Sequence, residues 1–517
     1  MEVFDKVRLA ITDYDYRGRG MGKADGAVVF LDGGEIGDVV EATIVKKKKR
    51  FFEGEITSYE KKSPYRVKNP CPYTNCNGCA FLSLDRKEEL AWKRRRVADA
   101  LARIGDVAVA VDPVIVRGES TGYRNHMQFH VKDRKLTLYG KGGEVISIKR
   151  CLMQTESANE ILAAMQGEKW LDDVALVGIR TTRRGESMVI LSGPKDMNDN
   201  LLHGAVAFAV EVGVDSLYYT KNTNPRFHYG RTMEHLYGKK EITETLAGYD
   251  YGIFGSNFFQ VNPMGAEAII EKVVNAVEGG KNVVELYAGI GTITLPLSEK
   301  AEAVVANEYA QASVDYARKT AEDNGVTNVR YIAGAAEKIM PRIAEEEKVD
   351  VLVVDPPRAG LDPKVVEGAI QASPETMIYV SCNPSTLARD LALLKEQFRI
   401  ESITPIDMFP HTAAVETVAL LSKLNTEHHL DIEIGEDELS EIDFSKDATY
   451  GEIKKYVLDK YGLKVSSLYI AQVKRKHGLI ERENYNISKK ENQRVPNCPE
   501  EKEKAIENAL KWFGMIY

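Results

Sequence analysis

From about residue 250 to residue 424, short apolar runs alternate regularly with amphipathic stretches. Strand-like runs fall at 282–287, 303–307, 329–332, 349–354, 377–380, 403–408 and 415–421, and helical segments separate the earlier ones. This pattern predicts an α/β domain with an open, mostly parallel, doubly wound sheet that holds its ligands outside the carboxyl ends of the strands. The first 60 residues read differently. Runs at 27–31, 39–45 and 51–56 are separated by glycines such as Gly18, Gly20, Gly22, Gly33 and Gly34, which predicts an OB-like barrel of five strands. Asp85 and Glu88 make a capping-box-like start to a helix that stops at Gly105. Its Leu90, Val97, Leu101 and Ile104 share one face, so Lys93 to Arg96 are expected largely outside.

Between about 107 and 245, mixed strands and helices carry no motif that dictates chemistry. Tyr123-Arg124-Asn125-His126 suits either an RNA contact or a plain strand pair. After Leu424 come eight acids, from Glu427 to Asp443, with no Lys or Arg before Lys446, which reads as a hydrated linker. An appended helical unit follows, with one helix over 450–461 and another from Ser466, as N-cap, to Lys476. Its basic end, Lys474-Arg475-Lys476 before Gly478, suits either a helix-turn-helix RNA reader or simple packing. The expected domains are therefore 1–60, 61–249, 250–424 and 425–517.

Charge changes this picture in one respect. The net charge of −8 divides into +8 over residues 1–150 and −16 over the rest. A basic front half suits a polyanion, and Lys46 to Arg50 run straight into Phe51 and Phe52, cations beside aromatic faces. With 44% hydrophobic and 28% charged residues the composition is that of a soluble globular protein. No apolar run approaches the ~18 residues of a membrane span. Glu2 and Asp5 stand where a secretory leader would be basic and then apolar. A cytoplasmic protein with no membrane partner is expected. Six cysteines are too few for a disulfide scaffold, yet Cys71, Cys76 and Cys79 crowd together, and Cys151 could complete a set of four. Zinc ribbons usually carry two Cys-x2-Cys pairs and only one exists here, so the spacing leans to iron–sulfur over zinc.

The chemistry-bearing motifs all lie at expected strand ends. Glu285-Leu-Tyr-Ala-Gly-Ile-Gly-Thr292 has two of the dinucleotide glycines, but Thr294 stands where the third would be. With Glu308 ending the next strand, placed to accept both hydroxyls of a ribose, the turn points to S-adenosylmethionine. Two turn glycines and a surface acid would be the bland alternative. Asp355-Pro356-Pro357-Arg358 stiffens the exit of a later strand and projects Asp355 into the crevice. Ser381-Cys382-Asn383-Pro384 follows the next strand. A lone cysteine there is usually packing, but one at this edge beside Asp355 is a nucleophile candidate. Glu416 opens an apolar strand in His411-Thr412-Ala413-Ala414-Val415-Glu416, where it is either half of an ion pair or a proton acceptor.

These residues together resemble the RNA uracil-5-methyltransferase family, which makes 5-methyluridine in tRNA and 23S rRNA. The resemblance spans roughly 1–424: a TRAM-like barrel, the cysteine set, Phe258-Phe259-Gln260-Val261-Asn262, the glycine turn, Asp355-Pro-Pro-Arg-Ala-Gly360, Ser381-Cys-Asn-Pro384 and the Glu416 segment. It implies Cys382 as nucleophile and Glu416 as base, with Gln260, Tyr287, Glu308 and Asp355 around S-adenosylmethionine. It also implies a [4Fe-4S] cluster on Cys71, Cys76, Cys79 and Cys151, although family members commonly have one more residue in the first gap. Ala335 stands where many members have Asp or Asn near the adenine, and Ala414 where many have a second His.

Uracil C5 is a poor nucleophile unless C6 is first attacked, which a thiolate can do. The base must also leave its stack, so loop or single-stranded RNA is the expected substrate. Because barrel and cysteine set accompany rRNA members more than tRNA members, 23S rRNA is expected first and tRNA second, with no DNA partner. A cytosine-5 enzyme generally uses a different acid or a second cysteine. The competing class is an RNA-binding iron–sulfur protein with an inert methyltransferase domain. Complete Cys382, Glu416 and Asp355 argue against inertness.

Overall fold

Two compact units divide the chain, Met1–Asn425 and Thr426–Tyr517. The computed structural model describes residues 1–424 except 225 and 256, and 450–512 except 464 and 478–497. The acidic stretch from Glu427 to Asp443, and Gly478, lie outside the described residues. No helix among them is long and apolar enough to cross a membrane.

Six strands, one more than expected, form the first sheet: β1 (Lys6–Ala10), β2 (Asp13–Tyr14), β3 (Gly20–Ala24), β4 (Ala27–Leu31), β5 (Val39–Lys47) and β6 (Phe52–Lys61). Their order is β1-β5-β6-β4-β3-β2. Val7, Leu9, Ile11, Val29, Leu31, Val40 and Ile44 fill the interior. Gly22 lets β3 approach β1, because a side chain there would strike the Ala10 carbonyl.

Asp85 caps α1 (Arg86–Ala100), accepting from the backbone N–H groups of Lys87 and Glu88. The helix then loosens into a π-turn at Leu101–Gly105. The wider turn shifts the helical phase, and Ile104, expected inside, is exposed. The larger correction concerns Lys93, which is fully buried. Its Nζ lies 2.9 Å from Glu89 and 2.5 Å from Asp407. Arg94 and Arg95 are exposed as expected, Arg94 while donating to the Val111 carbonyl at 2.8 Å, and half-buried Arg96 donates to the Ala413 carbonyl. Apolar periodicity identifies only the face that seeks oil; a second face of this helix is buried through ion pairs. Removing one member of such a cluster strands the others. Lys93→Met should lower stability by about 3–5 kcal/mol, seen as a fall in the urea midpoint.

The central sheet has the order β13-β12-β11-β10-β7-β8-β9. Its strands are β7 (His126–Lys132), β8 (Lys135–Tyr139), β9 (Val145–Ser147), β10 (Leu176–Thr181), β11 (Ser187–Gly193), β12 (Ser216–Lys221) and β13 (Glu234–Gly238). The helices α2 (Glu156–Ala164) and α3 (Asp199–Val212) pack on it through Ile161, Leu162, Leu201 and Phe208. A hairpin, β14 (Ile242–Leu246) and β15 (Tyr249–Ile253), leads to α4 (Pro263–Asn275).

The second α/β layer is the doubly wound sheet read from the sequence. Parallel strands β16 (Asn282–Leu286), β17 (Ala303–Glu308), β18 (Val329–Ala333), β19 (Val351–Val354) and β20 (Thr376–Ser381) are joined by β21 (Phe398–Ile406) and β22 (Glu416–Lys423). The order is β18-β17-β16-β19-β20-β22-β21, with β22 antiparallel to both neighbours. Connecting helices are α5 (Thr294–Ser298), α6 (Gln311–Asp323), α7 (Ala336–Glu346), α8 (Pro363–Ala372) and α9 (Pro384–Leu394). Three helices, α4, α8 and α9, begin with an Asx-Pro pair, Asn262-Pro263, Asp362-Pro363 and Asn383-Pro384. In each, the side-chain oxygen accepts a backbone N–H while proline supplies the first helical φ, so the chain turns abruptly from the site into a helix.

In the second unit, α10 (Tyr450–Tyr461), α11 (Ser467–Lys476) and α12 (Glu500–Trp512) bury Ile453, Val457, Ile470, Val473, Ile506 and Leu510. Ser466 caps α11 as expected. The third helix was not read from the sequence, and its Glu503 and Glu507 meet Lys476 at the basic end of α11.

Candidate functional site

Parallel pairing brings the expected site residues to one edge. Leu286 pairs with Asn307 on one side and with Val354 on the other. Tyr287, Glu308 and Asp355 therefore follow one another across three adjacent strand ends. On the far side Ser381 pairs with Thr417, so Cys382 and Glu416 sit side by side where β20 leaves the sheet and antiparallel β22 enters it. The sequence places Cys382 and Glu416 34 residues apart. The antiparallel return of β22 makes them neighbours.

The turn after β16 is strained where it bends. Tyr287 adopts φ +66°, a left-handed conformation costly for a tyrosine, followed by Gly289 at +58° and Gly291 at +87°. Gly289 N–H donates to Glu308 Oε2 at 3.1 Å, and Ala310 N–H donates to Oε1 at 3.0 Å. Each carboxylate oxygen keeps a lone pair free, as recognition of a ribose diol requires. Thr294, at the position of the missing third glycine, donates to buried Glu285 at 2.5 Å. Ala335, the N-cap of α7, offers no side-chain hydrogen bond.

The electrostatics of this edge are unusual. Burial pushes the Glu416 carboxyl up to about 8, with Asp355 adding to the effect and Arg358 opposing it. Burial likewise raises Asp355 to about 7. Glu285 is pushed up to about 8 by burial, against the Thr294 hydrogen bond and with help from Asp355. The Cys382 thiol is raised by burial and then by Glu416, against the pull of Arg358. Three crowded carboxyls set against one exposed arginine suit a cationic ligand, and the residues present fit a sulfonium cofactor. The Asp355-Pro-Pro-Arg358 motif carries no sign of a role for its arginine. Arg358 is the cation that favours both the Cys382 thiolate and the Glu416 carboxylate.

The segment holding Gln260 is fixed from the central sheet. Asn125 Nδ2 donates to the Gln260 carbonyl at 3.3 Å and Asn125 N–H to the Val261 carbonyl at 2.9 Å. Asn125 is buried, so it holds this segment in place and does not face solvent. Asn262 then donates to the Met408 carbonyl at 2.9 Å. That contact ties the Gln260 segment to the 407–415 loop leading into Glu416. The Lys93 cluster grips the same loop: His411 N–H donates to Glu89 at 2.8 Å and His411 takes φ +62°. Ala414 donates its N–H to Thr412 Oγ1 at 3.3 Å.

Residues 233–424 match the tRNA (uracil-5-)-methyltransferase family, and residues 1–57 match the TRAM domain. An RNA methyltransferase of Clostridium tetani is 32% identical over 441 residues, covering 80% of this chain and 95% of its own. The chain belongs to the RNA uracil-5-methyltransferase family. Another relative, an RNA methyltransferase of Gloeobacter violaceus, is 34% identical over 449 residues, 81% of this chain and 96% of its own. The crystal structure of Pyrococcus abyssi tRNA (uracil-54, C5)-methyltransferase in complex with S-adenosyl-L-homocysteine superposes with a TM-score of 0.67 at 25% identity. It covers 80% of this chain and all of that one. The family's S-adenosylmethionine-binding fold thus accounts for the strand-end turn.

The four cysteines expected in this family member to hold a metal group share one cavity. Cys71, Cys76, Cys79 and Cys151 line it with Leu82, Met127, Leu138, Ile148 and Met153, and all four are free thiols. Gly78 N–H donates to Cys76 Sγ at 3.4 Å. Burial pushes the Cys79 thiol up to about 12, and the other three cysteines add to it. Among the described residues no three His, Cys, Asp or Glu side chains converge on a single metal ion. Four thiols on one cavity are the donor set that a cluster or a single metal ion would each require. Phe81, two residues beyond Cys79, donates its N–H to the His411 carbonyl at 3.1 Å. The cysteine loop thus touches the loop that carries Glu416.

Proposed function

We propose that the protein methylates C5 of uridine in RNA, 23S rRNA first and tRNA second, through a transient bond between Cys382 Sγ and C6 of the base. The adjacency of Cys382 and Glu416 at the edge that also carries Asp355 supports this reading most strongly. Bound S-adenosylmethionine supplies an electrophilic methyl group on a cationic sulfur, beside Gln260, Tyr287, Glu308 and Asp355. Cys382, as thiolate, adds to C6, and the ring electrons move to C5 and O4. Arg358 favours the thiolate by its charge. C5 then takes the methyl carbon as its bond to the cationic sulfur breaks, the electron pair staying on that sulfur, which departs as a neutral thioether, and Glu416 takes the C5 proton. The electrons of that C–H bond re-form the ring double bond and expel the Cys382 thiolate, so the enzyme is regenerated. A carboxyl held near 8 is matched to this work, because it is basic enough to accept a proton and still partly ionised at cellular pH.

Transfer of labelled methyl groups to total RNA, with Cys382→Ala as control, tests the reaction, and mapping the label identifies the nucleotide. The tRNA reading draws on the Pyrococcus abyssi likeness. Label confined to the tRNA fraction would establish it over rRNA.

Cys71, Cys76, Cys79 and Cys151 would hold a [4Fe-4S] cluster that orders RNA-binding elements. The purified protein should be brown, with visible iron–sulfur absorbance. Cys76→Ser should weaken RNA binding while leaving cofactor affinity within about twofold, by fluorescence titration of each. Equal loss of both affinities would contradict a structural cluster.

A further inference from the structure

The central sheet carries a cationic cluster for which the proposed reaction has no use. Arg180 on β10 is 6% exposed. Its Nη2 donates to the Asn257 carbonyl at 2.8 Å, and its Nε meets no partner. No carboxylate among the described residues lies within ion-pair reach of it. His126 stands opposite on β7, and its Nε2 lies 3.3 Å from the Tyr229 hydroxyl. Burial, then Arg180, Arg124 and His228, hold the His126 imidazole well below its ordinary pKa. A buried guanidinium without a counter-ion is poorly screened, and its potential reaches the surface above it.

That surface is the segment 226–231. Tyr229 anchors it beside Arg180, in space that exists because position 178 is glycine; a Cβ there would collide with the hydroxyl. Arg226 and Arg231 are exposed, and neither guanidinium meets a carboxylate or other partner among the described residues. Phe227 is 65% exposed, and Phe258, next to Asn257, is 72% exposed. No acid occurs from 222 to 233. One exposed phenylalanine or one free arginine is ordinary surface. Two exposed aromatics with two unpaired cations, over a third that is buried and uncompensated, is the combination that single-stranded nucleic acid requires. An apolar protein surface docked here would desolvate the cations further without neutralising them, whereas phosphates neutralise them.

We propose that segment 226–231 and Phe258 form an RNA-binding face, on which Arg226 and Arg231 hold phosphates flanking the target uridine and Phe227 stacks on an unpaired base. This rests on the reading that the substrate is an unstacked stretch of RNA. The face is linked to the reacting edge through 257–262, whose Asn262 is bonded to Met408.

The test is fluorescence anisotropy of the full chain with a labelled oligouridine of about twenty nucleotides, between roughly 50 and 200 mM KCl. Arg226→Ala with Arg231→Ala should weaken binding at least about tenfold at low salt and flatten the log–log salt slope by about 1.4, two phosphates' worth for a single strand. Phe227→Ala should weaken binding about five- to fiftyfold with the slope unchanged. Removing two exposed cations elsewhere, Arg318→Ala with Lys319→Ala on α6, should change neither quantity. Unchanged affinity and slope in the arginine pair, an equal loss in the α6 control, or no binding by the parent chain would each overturn the proposal. Covalent capture of 5-fluorouridine RNA at Cys382, measured on the same preparations, separates the two readings. Its absence defeats the proposed reaction and leaves the binding result standing.

Discussion

A Cys382→Ala protein should transfer methyl groups to RNA at least about 10⁴-fold more slowly than the parent, with RNA and cofactor affinities unchanged. The size of the effect follows from the chemistry of the substrate. Without addition at C6 there is no electron density at C5 to accept a methyl group, and no neighbouring side chain can replace the sulfur. Binding should survive because Cys382 leads into α9, whose cap is Asn383 and not the cysteine. Single-turnover transfer of labelled methyl to a fixed transcript, beside equilibrium binding of the same transcript, measures both halves. Loss of binding equal to the loss of rate would mean that the cysteine is structural.

Glu416→Gln should show the second largest effect, a fall of about 10²–10⁴-fold in turnover. Its signature differs from the first, because addition and methyl transfer still proceed and only proton removal fails. The variant should therefore accumulate protein covalently joined to ordinary RNA, visible as a shifted band in denaturing gels, where Cys382→Ala shows none. Its pH dependence has a defined sign. Burial holds the carboxyl near 8, and the ionised form is the base, so parent turnover should rise with pH through about 8. The glutamine variant should lose that limb. Cys382 lies above the ordinary thiol range and contributes a further rise at higher pH. A bound cationic cofactor favours all the neighbouring carboxylates and should move the Glu416 limb to lower pH. Stability runs the other way. With Glu285, Asp355 and Glu416 raised to about 8, 7 and 8, the folded chain binds more protons than the unfolded chain above the ordinary carboxyl range. Their contribution therefore diminishes as pH rises toward 8.

The doubly wound sheet was legible because each strand is a compact apolar run and each helix has its own period; β16 to β20 and β22 fall on expected runs, while β21 begins at Phe398 and shares only 403–406 with the expected 403–408. The motifs at expected strand ends carried Cys382, Glu416, Asp355 and Glu308 with them. What stayed illegible depends on contacts distant in sequence. Lys93 looks like surface in any helical wheel, since its partner Asp407 is 314 residues away. Asn125 gave no sign that it would hold the Gln260 segment, and Arg180 none that it would be buried without a counter-ion. The sixth barrel strand escaped notice because β2 is two residues long, too short for periodicity to register. α12 lies beyond residues that carry no motif, and nothing in its own pattern ties it to α10 and α11. The iron–sulfur cluster is a proposal drawn from cysteine spacing and from four cysteines that line one cavity. Color and iron content will test it independently of catalysis.

The most direct measurement is covalent capture by transcripts containing 5-fluorouridine at the mapped site, in the presence of S-adenosylmethionine. Fluorine cannot leave as the proton does, so the chain should be held on the RNA in a stoichiometric, denaturation-resistant complex, with mass spectrometry placing the nucleotide on the peptide containing Cys382. If ordinary transcript is methylated at that site while the fluorinated one leaves Cys382 unmodified, the covalent account is wrong.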